Sequence, residues 1–345
     1  MAIKKFVTIV MFIAVFLSGL AAAEQNSPGT VRPYGINLEK YEYPFPVHFY
    51  HFQNQQQTLR MAYMDVQPDT PNGHTVVLLH GKNFNGAYWE RTANDLIKEG
   101  FRVIMPDQVG FGKSTKPAHY YFSFHQLAAN TRQLLKSLDI KKSSILGHSM
   151  GGMLATRYAL MYPQHTESLI LVNPIGLEDW KRKVPYTSID QWYKSELGKS
   201  YKLIRQYQLE SYYDGDWKPQ YNEWVEILAG MTRSPHYARL AWNQALAYEM
   251  IFTQPVCYEF ELIEPKTLLI IGVRDRTALG TGLVSDEVRA TLGRYDQLGE
   301  KTHERIPDSE LIELEGIGHL PHIEAYDRFI APLKTFLKGI KQREY

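Results

Sequence analysis

The stretch that decides the fold is Ser143-Ser144-Ile145-Leu146-Gly147-His148-Ser149-Met150-Gly151-Gly152. Residues 143–146, two serines followed by Ile145 and Leu146, form a short run ending at a glycine, as a strand does, and residues 150–161 read as a helix. Between them, Gly147-His148-Ser149-Met150-Gly151 matches G-x-S-x-G. The pentapeptide alone is a weak signal: with glycine at about 7% of residues, it arises by chance in about one chain of this length in ten. Its setting carries more, because strand, sharp turn and helix in succession lift a serine hydroxyl clear of the sheet edge. Glycine is required at 147 and 151, where a Cβ would collide with the neighbouring strand or helix.

Outward from this turn the chain alternates. Apolar strand patterns at 75–80, 101–105 and 168–172 are separated by helical patterns at 87–98, 126–138 and 150–161. The alternation stops near Leu177 and resumes with strands at 266–272 and 310–314 and a last helix over 325–340. In that helix Phe329, Ile330, Leu333, Phe336, Leu337 and Ile340 recur at helical spacing, so one face should lie on the sheet. Strands alternating with helices predict an α/β fold with a mostly parallel central sheet flanked by helices. Residues 47–52 and 59–66 predict an N-terminal hairpin. Residues 178–264 hold five of the six tryptophans (Trp180, Trp192, Trp217, Trp224 and Trp242) and read as an inserted helical cap. The expected organisation is a signal segment over 1–23, an extended lead-in over 24–45, a core formed by 46–177 and 265–345, and the cap over 178–264.

Composition narrows the function. With 38 basic and 37 acidic residues, no electrostatic footprint for nucleic acid is present. Lys4 and Lys5, the apolar run 6–20 and Ala21-Ala22-Ala23 form the three regions of an export signal, which predicts a periplasmic or secreted bacterial protein. The alternative is an uncleaved segment that anchors the chain in the membrane. The single cysteine, Cys257, excludes an intrachain disulfide and reads as a small core or cap residue.

A serine hydroxyl becomes a useful nucleophile only when a base takes its proton and an acid holds that base in the right tautomer. Asp275 follows the strand expected at 266–272, and His319 follows the one at 310–314, within Gly316-Ile317-Gly318-His319. Each stands at the C-terminal end of a strand, where open α/β sheets gather their functional side chains. His322 is the rival base, and Glu178 or Asp179 the rival acid. Asp107 reads as ordering its own loop, and His148 as structural or lining the pocket. Gly112-Lys113-Ser114 lacks the earlier glycine of a phosphate loop, since position 107 is aspartate. H-E-x-x-H is absent, and the tight histidine pair His319 and His322 does not by itself make a ligand set, so no metal is expected.

Together, Gly147-His148-Ser149-Met150-Gly151, Asp275, His319, Leu79-His80-Gly81 and Asp107-Gln108-Val109-Gly110-Phe111-Gly112-Lys113-Ser114 make the chain resemble the α/β-hydrolase superfamily, in its cap-bearing serine hydrolase form. The resemblance covers about 75–177 and 266–340. It implies Ser149 as nucleophile, His319 as base, Asp275 as acid, and an oxyanion hole of the backbone N–H groups of Lys82 and Met150, with Asn83 as the fallback donor. It implies no cofactor. Serine at 149 disfavours the chemistries that relatives perform with an aspartate nucleophile. The activity implied is cleavage of an acyl bond, foremost a carboxylic ester, through an acyl-enzyme. Carbon-carbon bond hydrolysis, peptidase activity and small-molecule binding without turnover stay as alternatives. The aromatic cap points to a small apolar or aromatic acyl compound as substrate, with the packing of cap helices onto the core as the alternative role of its Trp and Tyr side chains. The Lys82 side chain reads as solvated, with an anionic substrate group as its other partner, and part of 275–307 as overhanging the site.

Overall fold

The computed structural model describes residues 31–341; the expected signal segment, 1–23, lies outside them. Eight strands form one sheet in the order β1-β2-β4-β3-β5-β6-β7-β8. Strands β1 (Val47–Asn54) and β2 (Gln57–Val66) form an antiparallel hairpin that continues antiparallel onto β4 (Arg102–Pro106). Its two loop residues, Gln55 and Gln56, both take positive φ, +47° and +60°. The twist of a tight hairpin demands such values even without glycine, so both strands run further than the alternation of apolar residues suggests.

The remaining strands are parallel: β3 (Thr75–Leu79), β5 (Ser143–His148), β6 (Thr166–Val172), β7 (Thr267–Gly272) and β8 (Ser309–Leu314). Every residue of β3, β5 and β7 is buried, because helices cover both faces and leave no side of the strand to water. Successive residues of β3 serve opposite layers. Val77 and Leu79 pack with Leu127, Leu134 and Tyr158 from α2 (Phe124–Ser137) and α3 (Met150–Met161). Val76 and Leu78 pack with Leu96, Phe329 and Leu333 from α1 (Glu90–Lys98) and the C-terminal helix.

Four helices lie between β6 and β7: α4 (Ile189–Leu197), α5 (Tyr201–Ser211), α6 (Asn222–Thr232) and α7 (Tyr237–Thr253). Between β7 and β8 run α8 (Asp286–Arg289) and α9 (Tyr295–His303). After β8 the chain makes a short turn, α10 (Pro321–Glu324), before α11 (Tyr326–Lys341). Ala325, at φ −139° and ψ +56°, separates the two, so the long helix starts one residue after the 325 expected from the sequence. The helix expected from residue 87 likewise opens with a tighter turn, Gly86–Trp89, capped by the Asn85 side chain.

The lead-in is not extended throughout. Residues 35–40 turn, carrying Leu38 at φ +52° into a buried cluster with Ile227, Met231 and Leu240 of the cap helices. Burying that leucine against two helices outweighs the backbone cost of a left-handed residue. The Lys113 ammonium donates to the carbonyls of Leu38 and Tyr41, and the Tyr43 hydroxyl donates to Asp107 at 2.7 Å, so the segment is tied to the core as well.

Candidate active site

Three strand ends meet at one place. Ser149 caps α3 directly after β5, with φ +56° and ψ −122°. A non-glycine residue holds such a conformation only where the surroundings force it. Here they do: a Cβ at 147 would stand 2.0 Å from the Gly151 carbonyl oxygen, and one at 151 would stand 2.3 Å from that of Leu79. The turn is sharp enough to aim the Ser149 hydroxyl at the loop after β8.

On that loop His319 is 1% exposed, and its Nε2 lies 2.9 Å from Ser149 Oγ. Its Nδ1 lies 2.7 Å from Asp275 Oδ2, on the turn after β7. With Nδ1–H donating to the carboxylate, Nε2 is left to accept the serine proton. Asp275 is held on both oxygens: Oδ1 accepts the Thr277 N–H at 2.7 Å, and Oδ2 also accepts from Asn173 Nδ2 at 3.0 Å. Asn173 directly follows β6, at φ +34°, and its Oδ1 accepts the Gly272 N–H at 2.8 Å. One carboxamide thus fixes both the turn that carries Asp275 and the carboxylate itself.

The backbone N–H groups of Lys82 and Met150 donate to no acceptor among the described residues. Met150 opens α3, where the first amide has no intrahelical partner and the helix dipole favours negative charge. The Lys82 turn follows β3 closely against the serine; a Cβ on Gly81 would stand 3.1 Å from Ser149 Cβ. A buried chain links this turn to the histidine loop. The Gly81 N–H donates to Tyr88 Oη at 3.0 Å, that hydroxyl meets His148 Nδ1 at 3.1 Å, and His148 Nε2–H donates to the His319 carbonyl at 2.8 Å. Burial, with His322 and His319 nearby, holds the His148 pKa well below the ordinary imidazole value, so the ring serves as a neutral bridge.

The other sequence candidates lie elsewhere. His322 is buried but stacks on Trp89, ring centroids 4.4 Å apart, and neither of its nitrogens has a hydrogen-bond partner. Glu178 accepts the Gly293 N–H and the Trp180 indole N–H. Asp179 caps a short turn, and its other oxygen accepts from Tyr258. Asp107 accepts from the Gly86 and Lys113 amides and orders its own loop. Cys257 is buried. Among the described residues no cluster of histidine, cysteine, aspartate or glutamate could hold a metal ion, and no helix is long and apolar enough to cross a membrane.

Two features escape sequence reasoning. Tyr212, in the turn after α5, stacks on His319 with centroids 4.9 Å apart, and its hydroxyl accepts from Asn83 Nδ2 at 2.9 Å. Lys82 is 8% exposed, not solvated. Its ammonium lies 3.3 Å from Glu196 Oε1 and 3.1 Å from Gln244 Oε1, and burial pushes its pKa down to about 7 against the pull of Glu196.

The comparisons with known proteins agree with this architecture. The family model described as alpha/beta hydrolase fold matches residues 74–326, and the chain belongs to that family. It is similar to a probable hydrolytic enzyme from Pseudomonas aeruginosa PAO1, known from a crystal structure, at 51% identity, with a TM-score of 0.87 and coverage of 91% of this chain and 99% of that one. It is 25% identical to Lipase 3 of Moraxella sp. (strain TA144) over 293 residues, 82% of each chain. The fold is shared with an esterase from Exiguobacterium antarcticum, at 21% identity and a TM-score of 0.64, over 84% of this chain and 98% of that one. Family and relatives together support a hydrolase.

Proposed function

We propose that the protein hydrolyses carboxylic esters through an acyl-enzyme on Ser149. The observation that carries this reading is the succession Asp275 Oδ2 to His319 Nδ1 at 2.7 Å and His319 Nε2 to Ser149 Oγ at 2.9 Å, with all three side chains buried. His319 takes the hydroxyl proton as Ser149 attacks the carbonyl carbon, and Asp275 stabilises the imidazolium that forms. The N–H groups of Lys82 and Met150 receive the developing oxyanion. His319 then returns the proton to the departing alcohol, and water, deprotonated by the same imidazole, releases the acid. The lipase and esterase names of the relatives support an ester over other acyl bonds. Export, as the sequence of residues 1–23 suggests, would place this activity in the periplasm or outside the cell.

A fluorophosphonate probe tests the nucleophile: one adduct on Ser149 by peptide mass, and none on Ser149→Ala. The substitution is expected to lower kcat on a short p-nitrophenyl ester by at least about 10⁴. A folded Ser149→Ala variant with near-wild-type turnover would end the reading.

A further inference from the structure

The imidazole of His319 is bonded along its edge to Asp275 and Ser149, at 2.7 and 2.9 Å. Those two bonds do not fix the plane of the ring. A ring bonded through Nδ1 can still tilt about that bond, and a tilt carries Nε2 away from the serine. A second ring packed flat against its face opposes the tilt. The sheet domain supplies His148, whose ring meets His319 at 56°, centroids 4.9 Å apart, and so does not lie flat on it. The flat contact comes from the cap: Tyr212 stacks on His319 with planes within 22° and centroids 4.9 Å apart, and it is 4% exposed.

The dipeptide Tyr212-Tyr213 also touches each loop that carries the site. The Tyr212 hydroxyl accepts from Asn83 Nδ2, in the oxyanion turn, at 2.9 Å. Its carbonyl presses on the base loop: a Cβ on Gly318 would stand 2.2 Å from the oxygen, so the residue before His319 has to be glycine for the cap to come this close. The Tyr213 carbonyl accepts from Arg274 Nη1 at 3.3 Å, one residue before Asp275. Arg274 is paired with Glu324, and Glu324 accepts the Gly318 N–H at 2.8 Å, so acid turn and base loop are joined around the same point. Within the cap the dipeptide is itself anchored. The Gln208 carbonyl accepts both of its amides, and Tyr213, fully buried, stacks on Tyr221 with centroids 3.7 Å apart.

We infer that Tyr212 is a positioning residue for the catalytic base: the seated cap sets a ring against His319 that keeps Nε2 on Ser149 Oγ. The inference rests on the ester-hydrolase reading. Through the same turn the cap keys the oxyanion, acid and base loops to one another, so the sheet domain alone does not complete the site. When His319 takes the serine proton, the Tyr212 ring lies against a cation, which favours the imidazolium alongside the Asp275 carboxylate. Misplacing a reacting group by about 1 Å costs about 100-fold in rate. Loss of the ring is therefore read in turnover and not in binding.

Two substitutions separate the ring from its hydroxyl. Tyr212→Phe keeps a ring on His319, and Tyr212→Leu removes it. Turnover of a short p-nitrophenyl ester is measured per active site, counted by fluorophosphonate labelling, so that unfolded protein drops out. Tyr212→Leu is expected to lower kcat per site by about 10- to 100-fold, with KM within about threefold of wild type. Tyr212→Phe is expected to stay within about threefold of wild type in both. The Nδ1–H proton of His319, followed by NMR, should be sharp in wild type and Tyr212→Phe and broadened by exchange with water in Tyr212→Leu. A leucine variant with near-wild-type kcat per site would overturn the inference, as would a change confined to KM, which would make Tyr212 a wall of the substrate pocket. If the leucine variant does not fold, the phenylalanine variant decides: near-wild-type kcat and a sharp proton support the ring, whereas a 10-fold or larger loss assigns the effect to the bond with Asn83 and overturns the inference. A labelled, active enzyme indifferent to Tyr212→Leu means that the positioning role alone fails. A wild type that neither labels nor turns over, but whose Nδ1–H signal depends on the ring at 212, means that the hydrolase reading fails and the positioning stands.

Discussion

His322 offers a test in which one residue makes a separable contribution to the response of stability to acid. The ring is 4% exposed, stacks on Trp89, lies 4.7 Å from His148 between centroids, and has no hydrogen-bond partner for either nitrogen. Burial, with the nearby His319, pushes its pKa down to about 3 from an ordinary 6.5. The folded chain therefore refuses a proton that the unfolded chain accepts below about pH 6.5. Stability is full above that value and is lost as pH falls towards 3. The slope is about 1.4 kcal/mol per pH unit while only the unfolded form is protonated, so about 2 kcal/mol is withdrawn between pH 6.5 and 5. His322→Phe keeps a ring against Trp89 and removes both the titration and two unpaired nitrogens, the latter costing about 1–3 kcal/mol at neutral pH. Urea unfolding followed by tryptophan fluorescence from pH 7.5 to 5 measures both effects, because most other titrating groups cancel between variant and wild type. The variant should be the more stable throughout, with the gap widening by about 2 kcal/mol at the acid end. Parallel profiles would refute the reasoning.

Two further substitutions probe how the site is held. Asn173→Ala removes the carboxamide that bonds Asp275 Oδ2 and the Gly272 amide. Losing a hydrogen bond to a charged group costs about 1.5–3 kcal/mol, so kcat should fall about 10- to 100-fold with KM little changed; a kcat within twofold of wild type in folded protein would contradict the role given to Asn173. Tyr88→Phe leaves the Gly81 amide and His148 Nδ1 without their shared partner. Thermal unfolding should show a loss of about 1–3 kcal/mol, and steady-state kinetics a lower kcat; an unchanged melting temperature would count against the chain from Gly81 to His319.

Much of the arrangement is legible from residue order because each key side chain closes a strand. Ser149, Asp275 and His319 follow β5, β7 and β8, and parallel strands deliver their C-terminal ends to one edge, so sequence position alone brings the three near one another. The alternation of apolar runs and amphipathic helices reads well for the same reason: it reflects local periodicity. What escapes is long-range pairing. The burial of Lys82 depends on Glu196, 114 residues later, and nothing in the turn after His80-Gly81 announces that partner. Tyr212 reaches His319 from the cap across more than a hundred residues, and no local pattern marks it out among 23 tyrosines. Asn173 directly follows β6, but its carboxamide acquires a role only once β7 lies alongside. In the lead-in, residues 35–40 lack periodicity, and the burial of Leu38 among Ile227, Met231 and Leu240 is a contact that no local rule contains.

That contact bears on how the cleft can open. With Leu38 seated among Ile227, Met231 and Leu240, and with Lys113 gripping the carbonyls of Leu38 and Tyr41, the half of the cap built from α6 and α7 is strapped to the sheet domain by the polypeptide that precedes it. A lid tethered along one side does not swing as a whole. Because α4 packs on α7 and α5 on α6, the strap reaches both pairs of helices, and residues upstream of the first strand hold the whole set against the sheet domain.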